Sequence, residues 1–247
     1  MTLPLFLAEP AVVAHATVGS RVVLDGAEGR HAATVRRIAA GEQVMLADGA
    51  GLRLTCAVVA ASKAELELSV VEVCREPESQ PRFVLVQALA KGDRDDQAIE
   101  AATEFGVDEV VPWQASRSIV QWRGERGDKA RRKWQSTVAG AAKQSRRARV
   151  PVVGELVTTK TLATRIGGAA AAYVLHEDAT QSLAAQALPD DGDVLVVVGP
   201  EGGITAEEVA AFEAAGALTV RLGDTVLRSS SAGPAALAVL SAASRWR

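Results

Sequence analysis

The 247-residue chain is 48% apolar and 23% charged, the balance of a folded globular protein rather than of a disordered, collagen-like or coiled-coil one. Its wholly apolar runs are short, such as Ala169–Leu175 and Val194–Val198, and fall well short of the roughly 18 residues a membrane helix needs, so no segment reads as a membrane span. The net charge of −3 hides a basic stretch, residues 117–149, with 11 basic and 2 acidic side chains; such a run in an acidic chain points to a localised contact with a polyanion.

The first 75 residues read as β. The amino-terminal stretch Met1–Ala16 reads as a first strand: a signal peptide would need a basic start and a longer apolar run than this one, which stops at Ala8 before Glu9-Pro10. Arg21–Leu24, Gln43–Ala47, Arg53–Ala60 and Ala64–Val73 alternate or run apolar between turns at Asp25-Gly26, Gly41 and Asp48-Gly49. Arg30–Ala39 reads as one helix. Short strands and turns at this density suggest a small barrel. Residues 76–81, Glu-Pro-Glu-Ser-Gln-Pro, read as a linker. Two cysteines, Cys56 and Cys74, make no disulfide framework, which favours a reducing cytoplasm.

Residues 82–247 alternate strand and helix, the pattern of an α/β domain with a parallel sheet. Strands are expected at Phe83–Ala88, Val107–Pro112, Tyr173–Leu175, Val194–Val198 and Thr219–Leu222. Helices are expected at Asp95–Phe105, Lys129–Ser145, Thr205–Ala215 and Gly233–Arg245. The short β-branched strands suit a sheet covered on both faces.

In such sheets ligands bind beyond the carboxyl ends of the strands. Three loops follow late strands: His176-Glu177-Asp178, Gly199-Pro200-Glu201-Gly202-Gly203 and Gly223–Arg228. Glycines let a ligand approach the backbone. The second loop opens onto Thr205 with Glu208 three residues on, a capping box. It lacks the Lys-Ser/Thr of a phosphate-gripping loop and the glycine spacing of a dinucleotide fingerprint. His15, His31 and His176 have no metal-ligand spacing, so no metal is expected. Ser229-Ser230-Ser231 sits in no nucleophile elbow.

Taken in order, these motifs resemble the RsmE family, small-subunit ribosomal RNA uridine-N3 methyltransferases of the SPOUT (trefoil-knot) superfamily. The resemblance rests on His31 with Val35-Arg36 and Gly41-Glu42, on Lys91-Gly92-Asp93 leading to Ala102–Val107, and on Arg117-Ser118. It continues through Trp134 with Ala142–Arg146 and Pro151, then His176-Glu177, Gly199–Gly203, and Leu222-Gly223 with Leu227-Arg228. It implies a PUA-like RNA-binding β-barrel over 1–75 and a knotted α/β methyltransferase domain over 82–247. Unknotted chains are the default, so the knot is expected from the resemblance alone. The chain departs from the family pattern at Ala101, Lys143 and Ser230, the last removing a carboxylate after the Leu-Arg pair.

The resemblance further implies S-adenosylmethionine as cofactor, held by Leu175, His176, Glu177, Val198, Gly199, Pro200, Glu201, Gly202, Gly203, Leu222, Gly223, Val226 and Leu227. It implies a homodimer in the cytoplasm, with 16S rRNA of the small subunit as partner and methylation of a uridine N3 in the decoding region. Arg228 is the expected electrostatic stabiliser of a uracil anion, and Glu201 either orients the cofactor or accepts a proton. Arg36, Arg117, Arg131, Arg132, Lys143, Arg146, Arg147 and Arg149 are the expected phosphate contacts. A non-catalytic RNA-binding or ribosome-assembly module on the same scaffold is the alternative, and an enzyme of phosphorylated small molecules a more distant one.

Overall fold

A computed structural model describes residues 2–246. Contacts divide the chain into two units. One comprises the residues up to Glu78 together with Ala142–Val150, the other Ser79–Ala141 together with the residues from Pro151 on.

The first unit contains β1 (Leu5–Leu7), α1 (Pro10–Val13), β2 (Arg21–Leu24), α2 (Gly26–Arg30), β3 (Gln43–Ala47), β4 (Leu52–Ala61) and β5 (Leu66–Arg75). The expected helix over Arg30–Ala39 is instead the end of α2 running into a π turn, His31–Val35. The strands form one sheet in the order β1-β3-β4-β5-β2, antiparallel except for β1 beside β3. Alternation puts Leu52, Leu54, Cys56 and Val58 on one face of β4 and Leu66, Leu68 and Val70 on the same face of β5. They meet Phe6, Val44 and Leu46, and Val13, Ala32 and Ile38 from the helical turns, in a single core. Each Val, Leu, Ile or Phe among them contributes about 1.5–3 kcal/mol by leaving water. Burial also pushes the Cys56 thiol up to about 11, so this cysteine is a core hydrophobe rather than a nucleophile.

The sequence pattern assigns Ala142–Val150 to the second domain, but its contacts belong to the first unit. Ala148 is fully buried against Leu5 and Ala47. The Arg149 guanidinium donates to the carbonyls of Glu76 at 2.8 Å and Pro77 at 3.3 Å, and Lys143 Nζ lies 2.6 Å from Glu28. The first division along the chain falls between Glu78 and Ser79, inside the expected linker.

The second unit contains β6 (Arg82–Ala88), α3 (Arg94–Glu104), β7 (Glu109–Gln114), most of α4 (Gly124–Gln144), β8 (Val152–Val153), β9 (Val157–Thr158), α5 (Thr159–Gly167), β10 (Ala171–Leu175), β11 (Gln181–Ser182), β12 (Asp193–Val198), α6 (Ala206–Ala214), β13 (Leu218–Arg221) and α7 (Ser229–Ala243). The sheet runs β11-β13-β10-β12-β6-β7-β8, with β9 also on β7, and all its pairings are parallel. Residues 83–88 of β6 are buried without alternation, as a strand covered on both faces must be. On one face Phe212 of α6 and Leu162 and Ile166 of α5 pack with Val84, Val86, Trp113 and Val197. On the other, α7 approaches so closely that a Cβ on Gly233 would sit 2.8 Å from Leu85 Cδ1. At the amino end of the sheet Arg165 grips Glu109 with two hydrogen bonds of 2.8 and 2.7 Å, and Arg82 meets Asp193 at 2.7 Å.

Asp95, in the first turn of α3, is only 6% exposed. Burial, reinforced by the neighbouring Asp96 charge, pushes its carboxyl up to about 6 despite hydrogen bonds from backbone N–H groups. The folded chain therefore holds this proton at pH values where the unfolded chain has released it, and stability due to Asp95 falls as pH rises from about 4 to 6. Asp95→Asn should be more stable than the parent by on the order of 1–3 kcal/mol at pH 7.5, with the difference vanishing near pH 4. Urea unfolding at pH 4, 6 and 7.5 checks this; a difference independent of pH would show that Asp95 does not titrate in this range.

Candidate active site

Strands β13, β10 and β12 are neighbours and parallel, so the loops that follow them leave at the same sheet edge. They meet around a cavity of about 1020 Å³, ample for a nucleoside-sized ligand. The loop after β10 contributes Leu175, His176 and Glu177. The loop after β12 contributes Val198, Gly199, Pro200, Glu201, Gly202 and Gly203. The loop after β13 contributes Leu222, Gly223, Val226, Leu227 and Arg228. Every residue expected from sequence to hold a cofactor thus lies in one wall. Arg94, Val209, Ser229 and Ala232 join them. Ser229 belongs to the serine run that the sequence suggests as a helix cap or ligand contact; no motif marks the other three, because they arrive from helices α3, α6 and α7.

Local geometry explains the glycine-rich loop. Gly199 faces Ile204, whose Cγ1 would lie 2.6 Å from a Cβ at position 199, and Ile204 is itself buried in the core. The chain therefore turns under Gly199 with no room for a side chain. It then enters α6 through the expected capping box: Thr205 Oγ1 accepts from the Glu208 N–H and Glu208 Oε2 accepts from the Thr205 N–H.

Glu201 is tied down. Its Oε1 accepts from the Lys91 N–H at 3.2 Å and from Arg94 Nη1 at 2.9 Å. Partial burial disfavours its charge, but the N–H bonds from Glu201 itself and Lys91, with the Arg94 guanidinium, outweigh this and hold the carboxyl below its usual range. A carboxylate so held is a poor proton acceptor. Arg117, expected at RNA, lies in the cavity wall and donates to the Gly202 carbonyl at 2.8 Å. Arg228 is exposed in the wall, and no hydrogen bond or ion pair engages its guanidinium among the described residues. Beside it, Ser229 begins α7, and its hydroxyl oxygen is buried without a hydrogen-bond partner.

The other expected phosphate contacts scatter. Arg131 bonds the carbonyls of Val153 and Gly154 and pairs with Glu155. Lys143 and Arg149 are engaged within the first unit, by Glu28 and by the carbonyls of Glu76 and Pro77. Arg147 is half-buried and bonded within the protein. Arg36, Arg132 and Arg146 are exposed. Among the described residues no cluster could hold a metal ion, and no helix is long and apolar enough to cross a membrane.

An RNA methyltransferase domain model matches residues 77–241, and an RNA methyltransferase PUA domain model matches residues 24–71. The ribosomal RNA small subunit methyltransferase E of Mycobacterium bovis is 46% identical over 233 residues, 92% of this chain and 89% of the relative. The chain belongs to the RsmE family of RNA methyltransferases. The Bacillus subtilis relative of the same name is 29% identical over 88% of both chains. Among solved structures, the Neisseria gonorrhoeae family member bound to S-adenosylmethionine superposes with a TM-score of 0.85 at 27% identity, covering 98% of each chain. A Legionella pneumophila methyltransferase in complex with the same cofactor gives 0.86 at 26% identity over 98% of each. The fold is thus the expected one, a PUA-type sheet unit and a SPOUT-type α/β unit.

Arg94→Ala should release Glu201 and move its titration up toward the ordinary carboxylate range. Carboxyl NMR of parent and variant reads this directly; an unmoved Glu201 titration would remove Arg94 from the clamp.

Proposed function

We propose that this S-adenosylmethionine-dependent ribosomal RNA methyltransferase acts on N3 of a uridine in 16S rRNA, in the decoding region of the assembled small subunit. The observation that carries the reading is the convergence of three strand-end loops on one cavity with an unengaged arginine in its wall. The target position comes from the family resemblance.

The residues present suit the cofactor. Gly199 and Gly202 bring backbone to the cavity wall, Leu175, Val198 and Leu222 supply apolar surface, and Ser229 offers a buried hydroxyl that nothing in the protein satisfies. Leu175–Glu177, Val198–Gly203 and the segment from Leu222 to Leu227 would hold it. When bound, S-adenosylmethionine supplies a methyl group on a sulfonium, a strong electrophile.

The demand on the protein then lies with the acceptor. Uracil N3 carries a proton and attacks only as that proton leaves to solvent water at the cavity mouth, so negative charge grows on the ring oxygens. The Arg228 guanidinium, a cation with donors only, stabilises that charge. The amino end of α7, beginning at Ser229, adds the positive end of a 15-residue helix dipole in the same wall. These groups stand where the family's carboxylate is replaced by Ser230. Glu201, ionised and clamped, orients the glycine-rich loop rather than taking the proton.

The base must be unpaired or flipped to enter such a cavity. Arg36, Arg132 and Arg146, exposed and basic, contact phosphate. The family's homodimer fits the exposure of Val226 and Leu227, 74% and 38%, at the cavity wall, and a ribosomal substrate supports a cytoplasmic location.

Mass spectrometry of 16S rRNA from cells with and without the protein tests the reaction. Loss of one 3-methyluridine in the decoding region is expected; an unchanged modification profile overturns the assignment. Arg228→Ala should lower turnover at least about 100-fold while S-adenosylmethionine affinity, measured by calorimetry, stays within twofold or so; full turnover would remove Arg228 from the chemistry. RNA affinity should fall steeply with salt, and replacing Arg36 and Arg146 by Ala should flatten that slope by about two phosphate contacts. An unchanged slope would place the RNA elsewhere.

A further inference from the structure

Glu208 is the most enclosed carboxylate near the cavity, 3% exposed, and it takes no part in the methyl transfer itself. It does more than cap α6. Its Oε1 accepts three hydrogen bonds from outside that helix: the Ser116 N–H at 2.8 Å, the Ser116 hydroxyl at 2.9 Å and the Thr159 hydroxyl at 2.9 Å. Its Oε2 accepts from the Thr205 N–H at 3.1 Å. Four donors on one buried oxygen pair join three segments: the loop after β7, the start of α5 and the end of the glycine-rich loop.

The consequence lies one residue further along. Ser116, gripped at both its N–H and its hydroxyl, directly precedes Arg117. Arg117 Nη1 donates to the Gly202 carbonyl at 2.8 Å, and a Cβ at Gly202 would touch Arg117 Cβ at 3.2 Å. The arginine thus lies along the glycine-rich loop and holds its carbonyl from the side. Thr205, gripped by the other oxygen, fixes the same loop where it enters α6. Glu208 therefore anchors the loop at two points, once through Thr205 and once through Ser116 and Arg117.

We propose that Glu208 is a positioning residue of the methyltransferase site, setting the shape of the Gly199–Gly203 loop through Arg117. This rests on the reading of that loop as the S-adenosylmethionine cradle. The carboxylate form accepts from all four donor groups, two of which are backbone N–H groups that can only donate. Burial works against the charge, but the bonds from Ser116, Thr205 and Thr159 outweigh it and hold the carboxyl below its usual range. Arg117 accordingly serves the cofactor side of the site rather than the RNA phosphates.

Calorimetry with S-adenosylmethionine on the full-length protein tests this below the melting temperature of every variant. Glu208→Ala should weaken binding at least about tenfold. Glu208→Gln keeps the shape and one acceptor oxygen, but turns an amide N–H₂ toward a donor, so it should fall between parent and Ala. Arg165→Ala serves as a control: it breaks the Glu109 ion pair at the opposite end of the sheet, lowers stability, and leaves the dissociation constant alone. Combining Glu208→Ala with Arg117→Ala should weaken binding no more than the larger single effect, because one path is cut twice. Parent-level affinity in Glu208→Ala, or full additivity in the double variant, overturns the proposal. An absence of heat with the parent protein would instead overturn the cofactor reading on which it stands.

Discussion

In a parallel sheet every strand hands its chain to a loop at the same edge, and the two strands beside it do likewise. The site depends on this constraint. Strands β13, β10 and β12 lie side by side although they are far apart and out of order in sequence, so three loops well separated along the chain line one cavity. Helices α6 and α7 leave from two of these loops and lend their first turns to it. The cavity is therefore a product of topology first; the identities of the lining residues decide only what enters it.

The lining is held by donors and acceptors rather than by bulk. Glu201 pulls the loop after β12 toward the start of α3, Arg117 holds its far side, and Glu208 sets both Thr205 and Ser116. Each bond is worth about 1 kcal/mol net, yet together they fix a loop whose three glycines would otherwise leave it many shapes. An ionised Glu201 then reads as scaffold, and the stabilisation of developing charge falls to Arg228 and the first turn of α7.

The sheet strands and their glycine-rich exits were legible in the sequence because apolar runs and turn residues report directly on burial and backbone shape. Strands β8, β9 and β11 were not, since two residues carry no period. Helix α5 was hidden for a related reason: its Thr158/Thr161 capping box lacks the Glu or Gln that marks a helix start. The basic stretch shows the opposite failing. A charge count registers Arg131, Lys143 and Arg149 but not Glu155, Glu28 and the carbonyls of Glu76 and Pro77 that engage them. Lys143, one of the departures from the family pattern, has a specific partner in Glu28. Ala101 lies half-buried on α3, and nothing in the structure explains its departure.

The return of Ala142–Val150 to the first unit has a consequence for synthesis. Ala148 closes the apolar edge around Leu5 and Ala47, and Arg149 straps the chain at Glu76 and Pro77. A ribosome making this protein will have released the first seventy-eight residues long before it makes the nine that complete them. The nascent amino-terminal unit waits with an uncovered seam until about residue 150 has cleared the exit tunnel, and a fragment cut at the linker would keep that seam open permanently.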